Sequence, residues 1–238
     1  NTIEIPERPQ YHYFGHGEQS RRNIISILRR EVAPLRFKFA AEAVTRELGI
    51  APKDKVLEIG CGVGLLGEAI KKRVGSDLKY YGIDLNYDPA LTGSKRRGLS
   101  PIRGDAINLP FPDGSFDEIV STDVFEHVDN AEGLVSETHR VLKPEGKAFI
   151  VSADPFEGRF SVTKDHIARS GTESDVSFWT DMFESQGFEI LKKSKKYRKG
   201  DLRRAFNLPL LRRIKHKPFL SCAFRIVYRP GVYILKKA

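Results

Sequence analysis

The stretch Val56–Gly64 reads VLEIGCGVG, in which glycines stand at 60, 62 and 64 behind a short apolar run that carries one carboxylate, Glu58. A loop with so few side chains lets backbone groups come close to a ligand. One ligand for such a loop is a dinucleotide, whose pyrophosphate uses the G-x-G-x-x-G spacing and whose third glycine permits close packing of helix on strand. Counted from Gly60 that third position is Leu65, and the dinucleotide spacing fails there. Other residues able to do chemistry follow: Asp84 after Leu78–Ile83, Asp105 in Arg103-Gly104-Asp105-Ala106, and His127 in Phe125-Glu126-His127. An imidazole titrates near neutrality and can remove a proton, so His127 is the candidate catalytic base, with Glu126 a weaker one. The alternative for His127 is to start a helix and pack beneath a ligand. Taken singly, an Asp after an apolar run is more often a turn or cap residue. Cys61 and Cys222 form neither a metal spacing nor a disulfide framework, Cys61 reads as a small filler of the glycine loop, and no metal constellation is expected.

Alternating elements deliver these residues. Lys55–Ile59 is a strand-like run leading into the glycine turn, and Gly64–Val74 is a helix with Leu65, Leu66, Ala69 and Ile70 on its inner face. Leu78–Ile83, the run through Ile102, and Glu118–Ser121 read as the next strands. Ala131–Val141 reads as a helix ended by Lys143, Pro144 and Gly146, with Lys147–Val151 as the strand after it. Ser174–Gln186 is a further helix and Phe188–Lys192 a strand, while upstream Glu18–Leu48 has helical spacing that Pro34 divides in two. This βαβα rhythm predicts an α/β fold, a doubly wound and mostly parallel sheet with helices on both faces. Ligands then belong at the carboxyl ends of the strands, in the loops after Ile59, Ile83, Arg103 and Ser121.

Gly60, Gly62 and Gly64, with Glu58 just upstream, resemble the E/D-x-G-x-G-x-G motif of class I S-adenosylmethionine-dependent methyltransferases. Asn108–Val128, NLPFPDGSFDEIVSTDVFEHV, and Thr138–Gly146, THRVLKPEG, are similar to two further stretches of the type 11 group, which includes methylators of quinones, sterols, sugars and other small molecules. The resemblance runs from about Lys55 to Lys192. It implies a Rossmann-like, seven-stranded sheet closed by an antiparallel hairpin of Phe188–Lys192 with Val232–Leu235, and S-adenosyl-L-methionine as cofactor. On the matching positions it implies that Gly60, Cys61, Gly62 and Gly64 receive the methionine portion and that Glu58 satisfies its ammonium directly or through water. Asp84, with Leu85 beside it, would accept from the ribose diol, and Gly104, Asp105 and Ala106 would meet the adenine. Ser121 and Thr122 would line the site ahead of His127. The implied reaction is in-line transfer of a methyl group to a small-molecule or lipid-like acceptor. Two other readings stay open: a protein that binds the cofactor without transferring methyl, and an RNA methyltransferase. The last is less favoured because Ser121-Thr122-Asp123-Val124 stands where many amino-directed nucleic-acid enzymes carry Asn/Asp-Pro-Pro-aromatic.

Charge is segregated along the chain. From Ile190 onward 16 Lys or Arg face one acid, Asp201, a net of +15, which leaves −6 for residues 1–189 within the whole-chain +9. The expected organisation is an N-terminal helical lid or extension over 1–52, where Tyr11, His12, Tyr13, Phe14 and His16 cluster, a cofactor-binding core over 53–192, and a basic insertion with the final strand over 193–238. In the last segment Leu202, Phe206, Leu210, Leu211 and Ile214 are interleaved with Arg203, Arg204, Arg212 and Arg213. That mixture suits an anionic or amphiphilic acceptor, or peripheral contact with a membrane surface through 193–231. Its plainer reading is a solvated surface. With 40% apolar and 30% charged residues, no apolar run long enough to span a bilayer and no evident secretion leader, the expected location is cytoplasmic.

Overall fold

A computed structural model of the chain describes residues 33–85, 94–152, 175–194 and 231–238. The aromatic cluster at residues 11–16, the part of the expected helical stretch before residue 33, and the basic segment 195–230 lie outside these residues.

Helix α1 spans Ala33–Leu48. Pro34 falls in its first turn, where the missing N–H has no intrahelical partner to lose, so the proline begins this helix instead of interrupting it. Then follow β1 (Lys55–Ile59), α2 (Leu65–Val74), β2 (Lys79–Asp84), β3 (Ser100–Arg103), β4 (Phe116–Thr122), a 3₁₀ turn (Phe125–His127), α3 (Ala131–Val141), β5 (Leu142–Ser152), α4 (Asp175–Ser185), β6 (Phe188–Ser194) and β7 (Gly231–Lys237). The strands form one sheet in the order β3-β2-β1-β4-β5-β7-β6. Pairs among β1 to β5 are parallel, and β7 runs antiparallel to both β5 and β6. The expected doubly wound, seven-stranded sheet with a closing antiparallel hairpin is thus present.

Strand alternation explains why both faces need helices. Val56, Val120, Phe149 and Ile234 belong to one buried cluster with Ala41 and Val44 of α1 and Leu66 and Ile70 of α2. Their sequence neighbours Leu57, Ile119, Ile150 and Leu235 belong to the other, with Leu134 and Val135 of α3 and Trp179 and Phe183 of α4. Successive side chains point to opposite faces, so continuously apolar strands must be covered twice. On α2, Leu66 and Ile70 are buried as expected, whereas Leu65 and Ala69 are only half-buried. Among the described residues no helix is long and apolar enough to cross a membrane.

One boundary differs from the sequence expectation. Strand β5 begins at Leu142, directly after α3, and not behind the Lys143-Pro144-Gly146 turn. Its pairing with β4 jumps from Phe116↔Leu142 to Glu118↔Lys147, so residues 143–146 bulge out between two paired stretches, with Glu145 at φ 66. The turn residues do turn the chain, and the ladder resumes on the far side.

Candidate active site

Strand order reverses between β1 and β4, which makes their carboxyl ends the switch point where an open α/β sheet leaves a crevice. The glycine loop crosses it. Gly60, Gly62 and Gly64 hold φ of 75, 47 and 78, so the alternate spacing is first a demand of the backbone, because a side chain in that region costs about 1–2 kcal/mol per residue. Their surroundings differ. A Cβ at Gly60 would stand 2.1 Å from Val124 Cγ2 and one at Gly64 2.9 Å from Ser94 Cα, whereas one at Gly62 would meet nothing within 4 Å. Protein closes in on the outer two glycines, and Gly62 is the one that faces open space.

The loop is fixed to the end of β2 and to the turn at Ser94. The N–H groups of Gly60 and Cys61 donate to the Ile83 carbonyl at 2.8 and 3.1 Å, and the Gly62 N–H donates to Asp84 Oδ2 at 2.9 Å. Ser94 Oγ donates to the Gly62 carbonyl at 3.0 Å, and the Arg97 guanidinium to that of Val63 at 3.1 Å. Cys61 fills space that Gly82 leaves, since a Cβ there would lie 2.6 Å from Sγ. Burial, then the nearby Glu58, pushes its thiol up to about 12, as befits an inert filler.

Glu58 lies beneath the loop. It is 3% exposed, accepts from the Tyr80 hydroxyl at 2.9 Å, and accepts from the Gly67 N–H in the first turn of α2. Direct contact with a ligand ammonium is therefore closed to it in this arrangement, and its visible work is to join β1, β2 and the start of α2. Burial, partly offset by the Tyr80 hydrogen bond and reinforced by the charge of Asp84, pushes its carboxyl up to about 8. An unfolded glutamate titrates near about 4.3, so above that pH the native chain keeps a proton that the unfolded chain has lost. The associated stability is fully present below the unfolded value and is lost as pH rises through about 8. Denaturant unfolding should register a decline with pH across this window of ~1.4 kcal/mol per unit for each such group. Glu118 is raised to a similar value, so Glu58→Gln should reduce the slope without abolishing it. An identical slope in that variant would assign the effect elsewhere.

Asp84 stands half-buried at the end of β2, with Leu85 next to it 40% exposed. Val63 in the glycine loop is equally exposed, and among the described residues these two and Leu191 are the exposed large apolar side chains, so two of the three flank the loop. The Gly104 N–H donates to the Asp84 carbonyl at 3.2 Å, linking the second and third acidic loops. Asp105 Oδ1 accepts from the Ile107 N–H at 3.2 Å, and its carbonyl accepts from Asn108 at 3.1 Å. Ala106 packs against the core beside it. Each carboxylate oxygen has two lone pairs, so the bond from Ile107 leaves Asp105 able to accept from a ligand.

On the β4 side the result is mixed. Ser121 is fully buried and donates to the Ile59 carbonyl at 3.1 Å. Its side chain braces β4 against β1. Thr122 is half-buried at the strand end. Asp123 takes φ 59 and donates its N–H to the Val151 carbonyl at 3.0 Å, and Val124 next to it lies against Gly60. His127 ends the 3₁₀ turn half-buried, its N–H donating to the Val124 carbonyl at 2.8 Å. Glu126 is buried and accepts from Ser152 Oγ at 3.4 Å. The loop bearing Asp105 and the turn bearing His127 thus border the same crevice as the glycines. Among the described residues no group of three or more His, Cys, Asp or Glu is arranged to hold a metal.

A positioning network escapes sequence reasoning. Arg140 of α3 donates to both carboxylate oxygens of Glu137, at 2.6 and 2.8 Å, to Asp113 Oδ1 at 2.7 Å, and to the carbonyls of Leu109 and Phe111 at 3.0 and 2.8 Å. Glu137 in turn accepts from the Leu109 N–H at 2.7 Å. One guanidinium therefore fastens the segment that continues from Asp105 and Ala106. Arg140 stands inside THRVLKPEG, but only the folded arrangement reveals its partners; Ser94 and Arg97 lie in a stretch with no periodicity to mark them. Arg140→Ala should lower unfolding free energy by about 2–4 kcal/mol, because it leaves carbonyls and a carboxylate without their donor. Arg140→Lys should rescue little of it, since an ammonium cannot reproduce the planar fork. Full rescue by lysine in denaturant titrations would show that charge alone matters.

Comparison with known proteins agrees with this geometry. Residues 57–150 match the family model described as a methyltransferase domain. A sterol 24-C-methyltransferase of Gibberella zeae is 37% identical over 110 residues, 43% of this chain and 28% of that protein. A demethylmenaquinone methyltransferase of Symbiobacterium thermophilum is 32% identical over 116 residues, 46% of either chain. The match thus spans less than half the length of these curated relatives. In overall fold the chain is similar to the putative methyltransferase solved with the Haloferax volcanii Trm112 activator, with a TM-score of 0.65, 16% identity, and coverage of 92% of this chain and 96% of that one. Sheet order, the left-handed glycine loop and the match over residues 57–150 agree in pointing to a methyltransferase domain within this chain.

Proposed function

We propose that the chain transfers a methyl group from S-adenosylmethionine to a small, lipid-like acceptor. The observation that carries this reading is the glycine loop, in which Gly62 alone faces open space and gives its N–H to Asp84, between two exposed apolar side chains. The residues there fit the cofactor. The Gly62 face would receive the methionine portion, Asp84 the ribose diol, and Asp105 and Ala106 the adenine, with Leu85 and Val63 offering apolar surface to the ligand. Glu58 supports from below.

When bound, the cofactor supplies a methyl group already activated on a sulfonium. What is left to the chain is to hold the acceptor in line and to exclude water, and orientation of this kind can remove about 7–11 kcal/mol of a barrier. His127 would take the proton from a hydroxyl or carbon acid; an amine or thiolate acceptor would need little such help. The acceptor class is inferred from relatives named for sterol and demethylmenaquinone methylation. A basic segment carrying most of the +15 suits an acceptor that is anionic or lies at an anionic surface.

Incubation with methyl-labelled S-adenosylmethionine and separate pools of extracted lipids, polar metabolites and RNA tests the reading. Label should enter the organic-extractable fraction in step with S-adenosylhomocysteine release. Label appearing in RNA alone, or cofactor binding with no transfer to any pool, would replace it with one of the other two readings.

A further inference from the structure

Ser94 and Arg97 stand in one turn, and both commit their side chains to the glycine loop. Ser94 is fully buried, and its Oγ donates to the Gly62 carbonyl at 3.0 Å. The Arg97 guanidinium donates to the Val63 carbonyl at 3.1 Å and pairs with Glu68 of α2 at 2.9 Å. The turn that carries them is itself fixed. The Ser94 carbonyl accepts from the N–H groups of Arg97 and Leu99 at 3.0 and 3.2 Å, and Lys71 of α2 donates to the Gly98 carbonyl at 2.9 Å. Leu99 is buried against α2, where a Cβ at Gly67 would come within 2.8 Å of it. Both donors are therefore held in place by the protein's own packing.

Fixing the two carbonyls decides where the remaining donor of the loop points. The described residues contain no cis peptide bond, so the carbonyl of Gly62 and the N–H of Val63 point in opposite directions. With the carbonyl on buried Ser94, the Val63 N–H is turned to the open side, where a Cβ at Gly62 would meet nothing within 4 Å and the Val63 side chain is exposed. The neighbouring N–H groups are committed: those of Gly60 and Cys61 to the Ile83 carbonyl, that of Gly62 to Asp84, and that of Gly64 to the Cys61 carbonyl at 2.9 Å. Among the described residues no group accepts from the Val63 N–H.

We propose that Ser94 and Arg97 are positioning residues: by holding the Gly62 and Val63 carbonyls they present the Val63 N–H to the carboxylate of S-adenosylmethionine. The inference rests on the proposed cofactor site and adds the residues that aim its loop. Of the two charged groups on the methionine portion, the ammonium offers only donors and the carboxylate only acceptors, so a single N–H matches the carboxylate. Without the Ser94 hydroxyl the Gly62 carbonyl loses its donor, and rotation of that peptide carries the Val63 N–H away from the ligand.

Calorimetry with S-adenosylhomocysteine and with its decarboxylated counterpart, which keeps the ammonium and the nucleoside, tests this on the parent chain, Ser94→Ala and Arg97→Met. Ser94→Ala should weaken S-adenosylhomocysteine by about tenfold or more, the loss of one hydrogen bond to a charged group, and leave the decarboxylated ligand little changed. Arg97→Met should show the same selectivity with a smaller loss. A role confined to loop stability would weaken both ligands alike. In the parent chain, amide NMR should show the Val63 proton moving downfield with S-adenosylhomocysteine and not with the decarboxylated ligand. Should neither variant fold, that result decides the matter alone. Equal losses for the two ligands, unchanged S-adenosylhomocysteine affinity in either folded variant, or a Val63 proton that responds equally to both ligands or to neither would each overturn the positioning role while the cofactor site stands. Failure of the parent chain to bind S-adenosylhomocysteine would instead overturn the proposed function, and the positioning role with it.

Discussion

Gly62→Ala should weaken S-adenosylhomocysteine binding by about 10- to 100-fold, the loss that about 1–3 kcal/mol of steric overpacking produces, while unfolding free energy falls by only about 1–2 kcal/mol. The modest stability cost is the left-handed backbone at φ 47, because an added Cβ meets no protein atom within 4 Å. The affinity cost is larger because that open space is where the ligand would lie. Gly64→Ala provides the contrast. Its Cβ would press on the Ser94 backbone at 2.9 Å and on Leu99 at 2.6 Å, at φ 78, so stability should drop by about 2–5 kcal/mol from strain and crowding together. Paired denaturant and calorimetric titrations separate the two. If Gly62→Ala binds as tightly as the parent chain, the ligand does not approach over this residue.

Asp84 should be the most sensitive side chain of the site. It already holds the Gly62 N–H at 2.9 Å, and the proposed ribose contact adds two donors to the same carboxylate. Each hydrogen bond to a charged acceptor contributes about 1.5–3 kcal/mol, so Asp84→Ala should cost at least about a hundredfold in S-adenosylhomocysteine affinity through the diol alone. Loss of the glycine-loop tether adds to that. Asp84→Asn retains one carbonyl oxygen and should fall between the two. Calorimetry on the three chains measures the order directly. Equal affinity for all three would remove Asp84 as the ribose ligand, whereas equal loss in both variants would assign the effect to charge and not to hydrogen-bond geometry.

These expectations show which parts of the molecule can be read from residue types alone. Strands such as Lys55–Ile59 and the helix Ala131–Val141 were legible because apolar periodicity reports local burial directly. The glycine spacing was legible for a similar reason, since a left-handed backbone writes itself into the sequence as glycine. Side-chain commitments were not. Ser121 and Glu58 have the composition of ligand-binding residues, yet one is tied to the Ile59 carbonyl and the other to Tyr80, partners 62 and 22 positions away. Arg140 likewise acts on carbonyls 29 and 31 residues upstream. Such pairings depend on the register of β1 with β4 and on the seat of α3, which no local pattern encodes. The early start of β5 was missed because a proline and a glycine announce a turn without saying whether the ladder resumes beyond it.

The central claim, that the glycine loop receives S-adenosylmethionine and not a dinucleotide, is tested most directly by titrating the chain with S-adenosylhomocysteine and, separately, with NAD in the calorimeter. The account predicts saturable binding of S-adenosylhomocysteine at one site per chain, lost in Asp84→Ala, and no heat of binding with NAD. Saturable binding of NAD with none of S-adenosylhomocysteine would contradict it.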